Sequence, residues 1–342
     1  MLAAPHFARA EDTSNAPSPV QVLAREFGAV GLTAELNSEE YFGAVQARVG
    51  AYTALDSGDA DPALRLTNTV VPVNATFALT QDARWFVKLA ASDIDAEASS
   101  HGDTLSRSAT QSALAQLQYR PRPGTLIGLG VTYEKARVDL EGGGRIEAPG
   151  AGLRLDLLQR LGAHAGLAAK VLWTNGASTA TIPLGGGLVL TDKADAPRTY
   201  VQLGVLGLVQ NKDWTVVPEG WSLRPAGRLI FQRKDVADSV NSLGVFEAGG
   251  VQDYGEVMVS ARLQKDELRP GRLAPFVELG GEAPFRNTVP GPAADPPLAY
   301  AKLGAYVRTG RWGFLNAYYA YRDSLDGSFR SGTAEVLLSL AL

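Results

Sequence analysis

The 342-residue chain holds three histidines, and one of them has neighbours that could do chemistry with it. His101 is followed by Asp103 and Ser106, the residue types of a Ser–His–acid relay, in a polar stretch running from Glu97 to Ser108. A relay needs mutual geometry that closeness along the chain does not supply, and a solvated loop histidine meets the same spacing. His6 falls in the N-terminal stretch and His164 in a short turn segment. Cysteine is absent, and no group of His, Asp and Glu has metal-ligand spacing. Gly185-Gly186-Gly187 is followed by neither a Lys-Ser/Thr pair nor a helical pattern, so it makes no phosphate cradle. The sequence offers no catalytic constellation, no metal site and no cofactor motif.

The chemistry that remains is charge. Lys88, Arg120, Arg154, Lys170, Arg224, Arg228, Arg262, Lys302, Arg308 and Arg322, with Arg160, occupy positions that alternate with apolar residues. So do the acids Glu134, Asp156, Glu256, Glu278, Glu282 and Glu335. In a strand, alternation sends the two sets to opposite faces. On a lipid face each Arg or Lys would cost about 2–4 kcal/mol near the midplane, whereas an interior can solvate or pair it. Two interiors satisfy this pattern. One is a polar conduit with mild anion preference; the other is filled and salt-bridged.

The elements that must position these charges are strands. From about Tyr41 to Leu342 the dominant period is two. Trp85, Val87, Leu89 and Ala91 alternate with Phe86, Lys88, Ala90 and Ser92. Leu153, Leu155 and Leu157 alternate with Gly152, Arg154 and Asp156, and Val257, Val259 and Ala261 with Glu256, Ser260 and Arg262. Short turns are expected near 81–83, 121–124, 162–164, 266–271 and 309–311. Longer polar loops are expected near 97–108, 178–198, 235–250 and 286–297, with shorter ones at 141–144 and 325–332. Short turns alternating with longer loops are the organisation of an outer-membrane barrel. The expected fold is all-β: a transmembrane, antiparallel, up-and-down β-barrel with a short N-terminal helix. Residues 84–342 supply twelve strands. Tyr41–Val49 and Val71–Leu79 would raise the count to fourteen, with Asp56–Pro62 as a further loop.

Bulk properties agree. Hydrophobic residues make up 45% and charged residues 20%, and the net charge of −4 leaves no basic footprint for nucleic acid. Mean hydropathy is −0.04, as expected when apolar residues are confined to alternate positions. No apolar run reaches the roughly 18–20 residues of a spanning helix. Ala8-Arg9-Ala10 reads as a small-x-small cleavage pattern, so residues 1–10 are either a secretory-signal remnant or a disordered tail. Residues 11–40 form a helical or linker segment, and 41–342 the barrel with its core at 84–342. Val20, Leu23, Phe27 and Val30 recur at helical spacing after Ser18-Pro19. The segment Pro17–Leu36 either plugs the lumen, with Gln21, Arg25 and Glu26 meeting charges such as Arg228 and Glu278, or lies loosely in the periplasm. Tyr41, Trp85, Tyr119 and Trp221 are expected in one aromatic girdle, and Tyr133, Trp173 and Tyr321 in the other.

The stretch LQYRPRPGTLIGLGVTYEKARVDL (Leu117–Leu140) resembles the translocator β-domain of autotransporters. So do LRPAGRLIFQR (Leu223–Arg233), APFVELGGE (Ala274–Glu282) and the closing AEVLLSLAL. The likeness covers roughly 84–342 and rests on spacing and style. It implies a twelve-stranded barrel inserted by the barrel-assembly machinery, a helix in the lumen and an N-terminal passenger outside. Val336, Leu338, Leu340 and Leu342 would form the C-terminal assembly signal, with Leu342 where the family carries an aromatic. The 80 or so residues ahead of the main barrel are few for a β-helical passenger. The expected function is an autotransporter-like translocator or pore, monomeric, in contact with outer-membrane lipid. The alternatives are a passive or solute-selective diffusion channel and a barrel enzyme or structural barrel.

Overall fold

A computed structural model describes residues 18–28, 30–55, 63–266, 269–290, 296–309 and 313–341. Among them three helices come first: α1 (Pro19–Gly28), α2 (Leu32–Asn37) and α3 (Glu40–Ala54). Strands follow without interruption by further α-helix. The first six are β1 (Leu64–Ala78), β2 (Trp85–Ser100), β3 (Asp103–Arg122), β4 (Thr125–Leu140), β5 (Arg145–Arg160) and β6 (Ala165–Gly185). Next come β7 (Leu188–Asp195), β8 (Arg198–Gly207), β9 (Val209–Gln210), β10 (Trp221–Val236), β11 (Ser239–Val240) and β12 (Phe246–Glu247). The last five are β13 (Gly250–Lys265), β14 (Leu273–Asn287), β15 (Leu298–Arg308), β16 (Gly313–Ser324) and β17 (Phe329–Ala341).

One fifteen-stranded sheet closes on itself through the β10–β13 pairing. β7 pairs β6 beyond the barrel rim and β9 is a two-residue appendage to β10, so thirteen strands form the wall. Neighbours are antiparallel except at one seam, where β1 and β17 run parallel from Leu64↔Phe329 to Thr76↔Ala341. Closure leaves no unpaired edge for the membrane to face.

Facing follows the period of two. β1 alternates buried and exposed residues from Leu64 through Asn74, and β4 does so from Leu126 to Lys135. The exposed set is apolar: Val73, Leu89, Leu129, Val131, Leu155, Val259, Leu279 and Leu303 stand on the outside. The inward set carries the charges, including Lys88, Asp156, Lys170, Glu256 and Arg322, among apolar and aromatic residues such as Phe86, Leu158, Tyr200 and Ile230. The protein is thus inside-out relative to a soluble fold, with a lipid-facing belt. The rings of Trp85 and Tyr119 lie 4.5 Å apart and tilted by 33° on neighbouring strands at one rim, while Tyr133, Trp173 and Tyr321 are exposed toward the other.

The strand number differs from both twelve and fourteen, and the reason is α3. Residues 41–49, readable as a strand, lie inside this fifteen-residue helix. Tyr41, Val45 and Tyr52 share one side at spacings of four and seven, and small Gly43, Ala44, Ala47, Gly50 and Ala51 suit either period. Tyr41 is buried in the lumen rather than placed in a girdle. Because the chain first crosses the barrel as a helix, β1 starts at the end opposite to where β17 finishes. An odd number of strands with one parallel seam follows.

Two expected loops are strand extensions. β2 and β3 continue through 97–108 and reverse at His101-Gly102, both at positive φ (49° and 99°). A glycine relieves the strain at the second of these positions. Most of 178–198 is the β6–β7 hairpin projecting beyond the rim. Residues 1–17, with the stretch 1–10 expected to be a signal remnant or a tail, the expected loop at 56–62, Leu342 and parts of the segments at 266–271, 286–297 and 309–311 lie outside the described residues.

Candidate functional site

The lumen is occupied by α1, α2 and α3, threaded from one end of the barrel to the other. α1 sits at the end of the short turns. Val20, Leu23 and Phe27 pack there with Ala83, Phe86, Leu126, Leu158 and Leu206 of the wall. α2 comes against β6 where a glycine allows it: a Cβ on Gly166 would lie 2.5 Å from Leu32 Cδ1. α3 climbs toward the opposite end, where Tyr41, Phe42, Val45 and Tyr52 join Leu64, Val70, Ile94, Tyr254 and Phe329 in a second apolar cluster.

Charges on the thread match charges on the wall, level by level. Glu26 of α1 accepts from Arg120 Nε at 2.7 Å and from the Gly124 amide. Glu35 of α2 takes Arg228 in a two-pronged pair at 2.9 and 3.0 Å, and also accepts from Gln202. Glu39, between α2 and α3, pairs with Arg154 at 3.0 Å and Lys170 at 3.1 Å. Glu40 pairs with Lys302 and with Arg322 (2.8 Å) and accepts from the Tyr318 hydroxyl (2.8 Å). Among the described pairs the polarity is reversed at Arg48 of α3, which meets Glu256 at 3.1 Å and Glu282 at 3.9 Å. Backbone carbonyls of the thread take part as well: Leu36 O accepts from Arg154 and Ser38 O from Lys170. The thread brings acids where the wall brings bases, so burial leaves these charges paired.

The wall also pairs within itself. Arg154 bonds Asp156 at 2.8 Å, Arg198 bonds Glu134 at 2.5 Å and Arg262 bonds Glu278 at 2.8 Å. Lys88 is 3.9 Å from Asp156, whereas Glu335 of β17 accepts from the thread, from Ser38 Oγ and the Glu39 amide. Charged stems lie over rings too, Arg48 over Phe329 at 4.6 Å and Lys302 over Tyr318 at 4.3 Å.

Lys88, Arg120, Glu134, Arg154, Asp156, Lys170, Arg228, Glu256, Arg262, Glu278, Lys302 and Arg322 all stand in or beside this network. Arg224 and Arg308 line a wide cavity beside α1 and α2 instead. Val336, Leu338 and Leu340 fall on the outward face of β17, opposite the buried Leu337 and Ser339. Arg228 meets Glu35 rather than Gln21, Arg25 or Glu26; Gln21 bonds locally with Ser18, and Arg25 faces the cavity. Sequence reasoning missed Glu35, Glu39, Glu40 and Arg48. The adjacent acids Glu39-Glu40, next to an apolar-rich stretch, were the available signal. At His101 no relay forms on one face, because Ser106 is buried on the inward side while His101 and Asp103 are exposed at the hairpin tip.

The cavity is about 730 Å³ and lies at the short-turn end, between α1–α2 and the wall from β10 through β17 to β1. Among the described residues no helix is long and apolar enough to cross a membrane, and no group of His, Asp and Glu could hold a metal ion.

A closed strand wall with an apolar belt outside and matched charges inside defines a transmembrane β-barrel of the bacterial outer membrane. The fold is shared with solved autotransporter barrels. The translocator domain of autotransporter NalP from Neisseria meningitidis has 14% identity and a TM-score of 0.52, over 86% of this chain and 94% of that one. The β domain of the Bordetella autotransporter BrkA has 14% identity and a TM-score of 0.51, over 68% of this chain and 88% of that one. No protein-family model and no curated protein sequence matches the chain.

Proposed function

We propose that the chain is an autotransporter-like translocator barrel whose pore is held shut by its own N-terminal segment. The observation that carries this is the charge-matched thread of residues 19–54 running the length of the lumen. Four acids and one arginine of that thread neutralise wall charges that an open conduit would leave to water. The barrel is read as a conduit rather than a catalyst, monomeric, and inserted by the barrel-assembly machinery through the outward face of β17.

The direction of threading refines the reading. Ser18 lies at the short-turn end and Leu64 at the other. With the short turns in the periplasm, the described thread enters from the periplasmic side at Ser18. A thread that enters from that side supports the reading of a plug seated in the pore. A diffusion channel is the second reading, supported by the cavity of about 730 Å³ beside the plug.

Removing residues 18–54 tests the proposal in liposome swelling. The barrel strands all lie downstream, so the shortened chain should still fold and should admit small sugars that the intact protein excludes. Equal permeability of two folded forms would remove the plug from the account.

A further inference from the structure

The cavity beside the plug carries unbalanced charge. Its lining brings seven basic side chains against four acidic ones. Two of the bases, Arg224 of β10 and Arg262 of β13, are directly opposite each other in register and share the inward face. Like charges facing across a strand pair destabilise it unless something of opposite sign stands between them. Arg262 has its carboxylate, Glu278, at 2.8 Å, but that carboxylate is shared with Arg228 at 3.5 Å and Lys302 at 3.9 Å. Arg224 bonds the Ser222 hydroxyl at 3.2 Å and feels the charge of Asp266 across the same cavity, but among the described residues no carboxylate comes within ion-pair distance of it. Arg25 of α1 and Arg308 of β15 face the same space.

The rest of the lining mixes uncharged polar side chains, among them Gln21, Asn74, Gln264 and Asn316, with apolar and aromatic ones. Tyr306 and Phe314 stack at 5.1 Å on neighbouring strands, and Val20, Leu23 and Leu206 close the side toward the plug. A volume of about 730 Å³ is within the range of small-molecule sites. A forked guanidinium suits carboxylate and phosphate oxygens, and a partly enclosed cavity concentrates the field of a base such as Arg224 that has no carboxylate in ion-pair contact.

We propose that this vestibule binds a small organic anion, a phosphate or carboxylate on an apolar body, with Arg224 as its principal anion contact and Tyr306 and Phe314 against the body. The site needs only equilibrium access from the short-turn end. It does not depend on whether the plug blocks conduction, so its failure and the failure of the plug are separable.

Titration calorimetry of the full chain in non-ionic detergent, with phenyl phosphate as the probe, tests it. Saturable one-to-one binding is expected, with phenol, the neutral counterpart, at least about tenfold weaker. Arg224→Gln should lose at least about tenfold in affinity, and Arg224→Lys, which keeps the charge without the fork, should fall between that variant and the wild type. Should Arg224→Gln fail to give a heat-modifiable folded band, Arg25→Gln, on the exposed side of α1, should weaken binding in its place. Absence of saturable binding, phenol binding as tightly as phenyl phosphate, or undiminished affinity in the folded Gln variant would overturn the proposal.

Discussion

Glu40 of α3 and Arg322 of β16 meet at 2.8 Å across the lumen, each with no more than 1% of its side chain exposed. The two are separated by 282 positions in the chain, so the contact ties the first crossing of the barrel to its last hairpin. Lys302 and Tyr318 complete the setting of Glu40, and Glu282 holds the other side of Arg322 at 2.7 Å. Every acid of this group is met by a base of the facing element.

Glu40→Gln should loosen the plug without unfolding the barrel. Breaking a buried ion pair costs about 3–5 kcal/mol. The lower end is expected here, because Arg322 keeps Glu282. A loss of about 3 kcal/mol corresponds to roughly a hundredfold more frequent full openings in a planar bilayer. Openings at the wild-type frequency would show that Glu40 does not hold the plug.

Facing can be tested on β13. Val259 is 68% exposed on the lipid side, and Arg there should cost about 2–4 kcal/mol and reduce the heat-modifiable folded fraction. The inward control should be Gln264→Arg, which points into the cavity, and it should fold normally. Ser260 is a poor control although it faces inward, since its hydroxyl donates to Glu278 and accepts from Arg228. Equal folding of Val259→Arg and Gln264→Arg would contradict the assignment of faces.

Much of this was legible in the residues, and what was not has a physical reason. The alternation of Trp85–Ser92 or Val257–Arg262 has one solution in a lipid-belted sheet, so facing and the inward charges could be read directly. Residues 41–49 had two solutions. Gly43, Ala44, Ala47, Gly50 and Ala51 carry no strong preference, and the aromatic and valine positions fit both periods. The decision came from partners far away, Tyr200, Tyr254 and Phe329, which no local pattern contains. Strand parity was lost with that segment, because one helical crossing changes the end at which β1 begins. Loop lengths were overestimated at 97–108 and 178–198 because hydrophilic hairpins that project past the lipid belt have the composition of loops.

The direction of threading is open to single-cysteine labelling, since the chain has no cysteine of its own. Thr53→Cys stands exposed at the end of α3, and Gly28→Cys has open space at the end of α1. A membrane-impermeant maleimide should label Thr53→Cys on intact cells and Gly28→Cys only after the outer membrane is permeabilised. The reverse pattern would place the short turns outside.

The most direct measurement is single-channel conductance of the intact chain, of the form lacking residues 18–54, and of that form after a peptide of residues 18–54 is added. The account predicts a low-conducting intact protein, a shortened barrel with several-fold larger steps, and a fall in those steps when the peptide is present on the short-turn side. It would be contradicted by an intact protein that already conducts as the shortened one does, or by a shortened, folded barrel that remains closed.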